Sequence, residues 1–318
     1  MNDSPSYPPG LEPRFRQPEG WRWGSFNAAH GQEIRFGTLA AAGTPRGAVV
    51  ALQGLSEFTE KYFETARDMA AQGYSFWMMD WRGHGHSGRF LPNPSKRHST
   101  GFANDIADLH QFVTQHVKPQ SAKLPLVMLG HSMGGNKGLR YLQEHPDVFT
   151  CAVFCAPLTG ILALGNLPTL IRQGLTSWFG TAMNEGYVFG GGDWHPEIRG
   201  AAGRAMLSSD PVRNMVQDMW CAHDPALRVG GITFGWLRAA EESCRLLQTG
   251  APPVTPCLFA LAGREHLVDN NATRRLAGRM KKMRVVEFPD ARHEILMERD
   301  EMRNRFLDMF FSFIKENT

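Results

Sequence analysis

The chain has no run of five or more basic residues, and no lysine falls between Lys137 and Lys281. Its 34 Lys and Arg against 31 Asp and Glu leave a net charge of +3. A nucleic-acid groove leaves a clear basic footprint, and none is present. Electrostatic docking to anionic membranes through the lysine-free stretch is disfavoured for the same reason. The five cysteines are Cys151, Cys155, Cys221, Cys244 and Cys257. An odd number without paired C-x-x-C spacing argues against a disulfide framework and against a zinc site. No apolar run approaches the roughly 20 residues that span a bilayer. The polar N-terminal stretch, with five prolines in its first 20 residues, has no secretory h-region. A reduced, cytoplasmic, soluble protein is expected.

What is there is an alternation of short apolar runs and longer amphipathic ones. The chain has 318 residues, 42% hydrophobic and 20% charged, enough to bury roughly three quarters of its unfolded surface without a staple. Eight strand candidates stand out: Trp21–Asn27, Glu33–Leu39, Ala48–Gln53, Ser75–Asp80, Pro125–Gly130, Cys151–Cys155, Pro256–Leu261 and Arg284–Phe288. Several are nearly unbroken apolar runs, the mark of strands covered on both faces in a largely parallel sheet. Helices are expected over Phe58–Ala71, Asn104–Val117, Gly134–Glu144, Ala272–Met283 and Asp300–Ile314. The alternation breaks over 158–231, which is rich in Gly, aromatics and Met. The expected organisation is a flexible arm over 1–20, an α/β core over 21–157 and 232–318, and a helical cap over 158–231.

The most informative segment is Gly130-His131-Ser132-Met133-Gly134-Gly135, between an apolar strand and a helix. This is G-x-S-x-G in a strand–turn–helix context, a nucleophile elbow. Ser132 must sit in a strained turn to project its Oγ above the sheet. Glycines at 130 and 134 remove the Cβ atoms that would clash as strand and helix approach.

A serine hydroxyl needs a base, and the base needs an acid behind it. The chain order for such an elbow is Ser, acid, His. His293 follows the last strand and is the expected base. Glu265 follows the strand before it and is the favoured acid. Asp269 is the rival acid, although an Asp there also suits the start of a helix. Asp290 and His266 read as loop neighbours. The oxyanion hole should take the Met133 amide and the Leu55 amide, with Gly54 shaping the loop after the third strand. Asp80, His84, His86 and Ser87 crowd one Gly-rich turn. A structural turn tied by Asp80 and Arg82 is the preferred reading over a metal site.

Taken together, Gly54-x-x-Glu57, Tyr62, Asp80-x-Arg82-Gly83-x-Gly85-x-Ser87-Gly88-Arg89, Gly130-His-Ser-Met-Gly-Gly135 and His293-Glu-Ile-Leu-Met-Glu298 resemble the α/β-hydrolases of the monoacylglycerol-lipase and bacterial lysophospholipase group. That group lies in the serine-aminopeptidase-like superfamily. The resemblance covers about 30–157 and 232–316. It departs at Gln53-Gly54, where His-Gly is common, at the acid, often Asp, and at Asn136-Lys137. It implies ester hydrolysis through Ser132, His293 and Glu265, with the oxyanion on the Leu55 and Met133 amides and no cofactor or metal. It also implies a small acyl ester or lipid as substrate, with transient membrane-surface contact. The cap's Leu, Trp, Phe and Met suit a single acyl chain. Two other readings stay open. One is a short-chain esterase or an aminopeptidase; the latter needs a cap carboxylate such as Glu185, Asp193, Glu197, Asp210, Asp218 or Asp224. The other is a silent hydrolase fold used for binding, which would be expected to have lost Ser132, Glu265 or His293.

Overall fold

The computed structural model describes residues 6–29, 31–121, 123–165 and 168–318. Eight strands form one sheet in the order β1-β2-β4-β3-β5-β6-β7-β8. They are β1 Arg22–Asn27, β2 Glu33–Leu39, β3 Gly47–Leu52, β4 Tyr74–Met79, β5 Leu126–His131, β6 Cys151–Cys155, β7 Cys257–Ala262 and β8 Met283–Phe288. β1, β2 and β4 pair antiparallel, and every pairing from β4 through β8 is parallel. Each expected strand is present, displaced by at most one residue at an end.

The central strands show why they read as unbroken apolar runs. Every residue of β3, β5, β6 and β7 is buried. Their side chains alternate between two cores. Ala48, Val50 and Leu52 join the core on one face, Val49 and Ala51 the core on the other. The edges β1 and β8 are mostly exposed, as edge strands with polar residues must be.

The helices are α1 Phe63–Ala71, α2 Phe102–Phe112, α3 Lys118–Ser121, α4 Ser132–Glu144, α5 Thr169–Ala182, α6 Gly200–Leu207, α7 Arg213–His223, α8 Phe234–Thr249, α9 Asn270–Ala277 and α10 Asp300–Asn317. Of the five expected helices, α4 begins two residues before Gly134 and α10 runs three residues past Ile314, and the other three differ further. The Phe58–Ala71 helix opens with a 3-10 turn, Thr59–Tyr62. The Thr59 amide and hydroxyl donate to Asp80 Oδ1 at 2.9 and 2.8 Å, which fixes that turn from outside. The Asn104–Val117 helix begins two residues earlier and passes into a π-turn over Val113–Val117. The Ala272–Met283 helix ends at Ala277, before Gly278, and Met283 opens β8.

Residues 6–20 also depart from a flexible arm. Residues 1–5 lie outside the described residues. Beyond them, Leu11 and Phe15 are 1% and 2% exposed and belong to one of the two cores. Of the prolines that suggested disorder, Pro13 opens a 3-10 turn, Pro13–Phe15, that seats Phe15. Between β6 and β7 the chain makes its longest excursion, through α5, α6, α7 and α8. α8 packs into the core through Trp236, Ala239, Ala240 and Leu247.

Candidate active site

Loops at the carboxyl ends of the parallel strands gather on one side of the sheet, where open α/β folds bind ligands. Ser132 is the first residue after β5 and opens α4. Its φ is +50°, a left-handed conformation that L-residues adopt only when their surroundings impose it. The imposing contacts are tight. A Cβ on Gly134 would lie 2.2 Å from the Leu52 carbonyl oxygen, and one on Gly130 2.8 Å from the Phe154 ring. Only glycine lets helix and strands approach this closely. Met133, second in α4, carries one of the first-turn N–H groups that have no partner within a helix.

His293 and Glu265 meet below the serine. His293 Nδ1 donates to Glu265 Oε2 at 2.8 Å, and both side chains are 4% exposed. A carboxylate only accepts, so the proton sits on Nδ1 and the Nε2 lone pair is left free. Glu265 Oε1 accepts backbone N–H groups of His266, Leu267 and Val268 at 3.0, 2.8 and 3.3 Å. Burial alone would push Glu265 up, but His293 and these amides hold it below the usual carboxylate value. Burial alone would lower His293, but Glu265, then Glu294 and Glu57, raise it above the ordinary imidazole value. Asp269 does something else. It caps α9 through the Asn271 amide at 2.8 Å and pairs with Arg275 at 3.2 Å. Among the described residues no hydrogen bond joins Ser132 to the imidazole. Such contacts often tighten only when substrate binds.

Sequence reasoning missed the network beneath the loop that carries Leu55. The Gly54 amide donates to Glu57 Oε2 at 2.5 Å, and Tyr62 donates to the same oxygen at 2.7 Å. Lys61 Nζ bridges Glu57 Oε1 and Glu294 Oε1, each at 2.7 Å, and reaches Gln217 Oε1 at 3.0 Å. Gln217, on α7, returns a hydrogen bond to the Ser56 carbonyl at 3.0 Å. Burial would raise Glu57, but Lys61 and then His131 hold it down to about 2. The loop's backbone is therefore fixed by a charged carboxylate from within and by α7 from above. Gly54 and Glu57, Tyr62 and Glu294 had a sequence signal, as quoted motif positions, but Lys61 and Gln217 had none. Glu57, His131 and Glu294 lie close enough to suggest a metal triad, but the Lys61 ammonium already bridges two of them.

Asp80 ties its Gly-rich turn as expected: its Oδ2 accepts the His86 amide at 3.0 Å and its carbonyl accepts Ser87 Oγ at 2.8 Å. Asp80 also bonds outward to Thr59 and to Arg35 Nε, the latter at 2.7 Å, while the Arg82 side chain pairs with Asp108 instead. Asn136 and Lys137, unusual after the double glycine, are also accounted for. Asn136 Nδ2 donates to the Leu158 carbonyl at 2.7 Å, and Lys137 pairs with Asp105 at 3.2 Å over the Trp81 ring.

Ser132, His293, Leu55 and Met133 line one cavity of about 320 Å³. Leu158, Ile161, Trp194, Leu207 and Val229 supply apolar wall from the β6–β7 excursion, and Arg97, Arg199 and Asp218 bring charge. The excursion is pinned to the histidine loop: the Glu294 amide donates to the Leu207 carbonyl at 2.8 Å, and Ser208 Oγ to the Met297 carbonyl at 2.5 Å. No helix among the described residues is long and apolar enough to cross a membrane.

Comparison with known proteins bears on the family and the fold. The serine aminopeptidase S33 family model matches residues 43–300. Lysophospholipase L2 of Escherichia coli K12 is 31% identical over 279 residues, covering 85% of this chain and 80% of that protein. A monoacylglycerol lipase of Mycolicibacterium smegmatis is 30% identical over 134 residues, 42% of this chain and 45% of that protein. The solved monoglyceride lipase of Saccharomyces cerevisiae superposes with a TM-score of 0.74 at 18% identity, over 95% of this chain and 98% of that one. Fold, family match and relatives agree: the chain belongs to the serine aminopeptidase S33 family, as a carboxylic ester hydrolase of the α/β-hydrolase fold.

Proposed function

We propose that the protein releases a fatty acid from a single-chain glycerolipid, a lysophospholipid or a monoacylglycerol, through an acyl-enzyme on Ser132. The observation that carries this reading is the convergence of Ser132, the hydrogen-bonded His293–Glu265 pair and an apolar wall on one cavity. The Ser132 Oγ attacks the ester carbonyl carbon as His293 Nε2 takes its proton. Negative charge builds on the carbonyl oxygen, opposite the Leu55 and Met133 amides. Preorganised donors of this kind supply about 3 to 4 kcal/mol of transition-state stabilisation each. The proton then passes to the departing glycerol oxygen. Water, deprotonated by the same imidazole, releases the fatty acid and restores the serine. Glu265 holds the imidazole in the required tautomer and stabilises its charged form.

In this reading the 158–231 segment is the cap and seats the acyl chain. Its outer side carries large apolar residues in the open, Trp178 at 63% and Phe189 at 80% exposure, which supports transient contact with a lipid surface. An aminopeptidase is less well supported. Of the six cap carboxylates that could hold an amine, only Asp218 lines the cavity, and Arg199 and Arg204 hold it at 3.0 and 3.5 Å.

The test is fatty-acid release, by mass spectrometry, from a lysophospholipid, a monoacylglycerol and a short-chain ester, with Ser132→Ala as blank. Ser132-dependent release from either lipid supports the reading. Release only from the short ester removes the lipid assignment.

A further inference from the structure

Arg97 lines the cavity, and its surroundings are unlike those of the other Lys and Arg side chains at this site. Lys61, beneath the loop, is shared by Glu57 and Glu294, and Arg199 pairs with Asp218 at 3.0 Å. Arg97 pairs with no carboxylate among the described residues. Its Nη1 donates to Ser56 Oγ, and its Nε is buried without any partner. A guanidinium has five N–H donors, and one of these is used here. Burial draws Arg97 down to about 10, so it stays charged at neutral pH. A half-buried cation with a buried, orphaned Nε is costly, and each such group in a folded protein calls for a ligand or a reason.

Its position is built rather than incidental. The Arg97 amide donates to the Gly231 carbonyl at 3.1 Å, and its carbonyl accepts from the Thr233 amide at 2.9 Å. The backbone is thus fixed on both sides, and the side chain reaches into the cavity against Ser56. Ser56 has φ +69° and follows Leu55 directly, about 3.8 Å on from Cα to Cα. The guanidinium therefore contacts the residue next to the Leu55 amide, on the same cavity.

We propose that Arg97 is the specificity-determining residue of this cavity and binds the phosphate of a glycerophospholipid substrate, so that the protein is a reader of anionic head groups. The inference rests on the ester-hydrolase reading of the same site and refines it to lysophospholipid over monoacylglycerol. A planar fork matches two phosphate oxygens, an arrangement that lysine does not reproduce. The apolar wall then takes the acyl chain.

The test compares kcat/KM on a lysophosphatidylglycerol and on a monoacylglycerol of the same acyl chain, for wild type, Arg97→Gln and Arg97→Lys. Losing the Ser56 contact lowers both rates, so the ratio carries the result. The ratio should fall by about 10- to 100-fold in Arg97→Gln, with part of it kept in Arg97→Lys. In parallel, glycerol 3-phosphate and inorganic phosphate are used as inhibitors of short-ester hydrolysis. Glycerol 3-phosphate should inhibit wild type several-fold more strongly than Arg97→Gln. Equal inhibition by inorganic phosphate would make the site a free-phosphate site and overturn the lipid assignment. An unchanged ratio in Arg97→Gln would make Arg97 a support for the Ser56 loop and overturn the proposal. Loss of Ser132-dependent turnover on every ester would instead overturn the hydrolase reading beneath it, and the inference with it.

Discussion

On the sheet side of the cavity, each proposed reacting group sits close to a strand end: Ser132 directly after β5, Glu265 three residues after β7, His293 five residues after β8. On the opposite side, Trp194, Gln217 and Asp218 come from an excursion without a strand of the sheet, and Arg97 from a loop held at Gly231 and Thr233. The first side is held by contacts that tolerate no Cβ and by a carboxylate clamped on three amides. The second is held by polar contacts between segments distant in sequence: Leu207 and Ser208 to the histidine loop, Gln217 to Ser56, and Arg213 to Glu64 at 2.8 Å. Chemistry is thereby fixed by short motifs on rigid strands, and selectivity is assembled from distant segments that can vary without disturbing it.

Substitutions on the two sides should differ in size and in kind. The largest effect is expected from Ser132→Ala, a loss of about a million-fold in kcat, measured against unchanged circular dichroism. Glu265→Gln should cost about 10⁴-fold in kcat by spoiling the imidazole tautomer. Asp269→Ala should keep activity within about threefold while losing roughly 1 kcal/mol of stability, the value of a helix cap. A reversed order between these two, in parallel kinetic and denaturation measurements, would move the acid from Glu265 to Asp269. Glu57→Gln should lower kcat by about 10- to 100-fold with KM little changed, because it loosens the clamp on the Gly54 amide rather than the acyl wall. It should also lower Tm, since a buried pair broken on one side is strongly destabilising.

The pH profile sharpens the same contrast. His293 must be neutral to accept the proton, and its neighbours raise it above 6.5. The acidic limb of kcat/KM should therefore lie above that value, with activity lost as pH falls through it. In Glu265→Gln the residual activity should show that limb moved to lower pH; a limb that stays put would contradict the pairing. The smallest effect belongs to the outer face. Replacing Trp178 and Phe189 by Ser should reduce turnover on lipid vesicles by about two- to fivefold, read against a soluble short ester as control.

The sheet was legible because the causes of its strands are local, and the proposed reacting groups were picked out from motifs that are local too. Unbroken apolar runs mark two-sided strands, and Gly130 and Gly134 mark a close approach that needs no further context. Glu265 was preferred to Asp269 for its nearness to the strand; in the structure Glu265 is the one bonded to His293, while the Asp269 carboxylate caps α9. The Glu57–Lys61–Glu294 network was not legible. Lys61 and Glu294 lie 233 positions apart, and nothing in either sequence neighbourhood announces the other. Arg97 is equally silent, because its meaning lies in the carboxylates absent from its surroundings. The N-terminal prolines misled for a related reason: composition recorded their stiffness but not that Leu11 and Phe15 find a core to fill. Helix ends were misplaced where an outside partner decided them, as Asp80 does for Thr59.

The most direct test of the central claim is to trap the acyl-enzyme. Protein mixed with a lysophospholipid and quenched within the first turnover should gain the mass of the fatty acyl group on the peptide that carries Ser132. The adduct should be absent in Ser132→Ala, form far more slowly in His293→Ala, and appear together with the freed glycerophospho head group. Acyl mass on any other residue, or fatty-acid release at the wild-type rate from Ser132→Ala, would contradict the account.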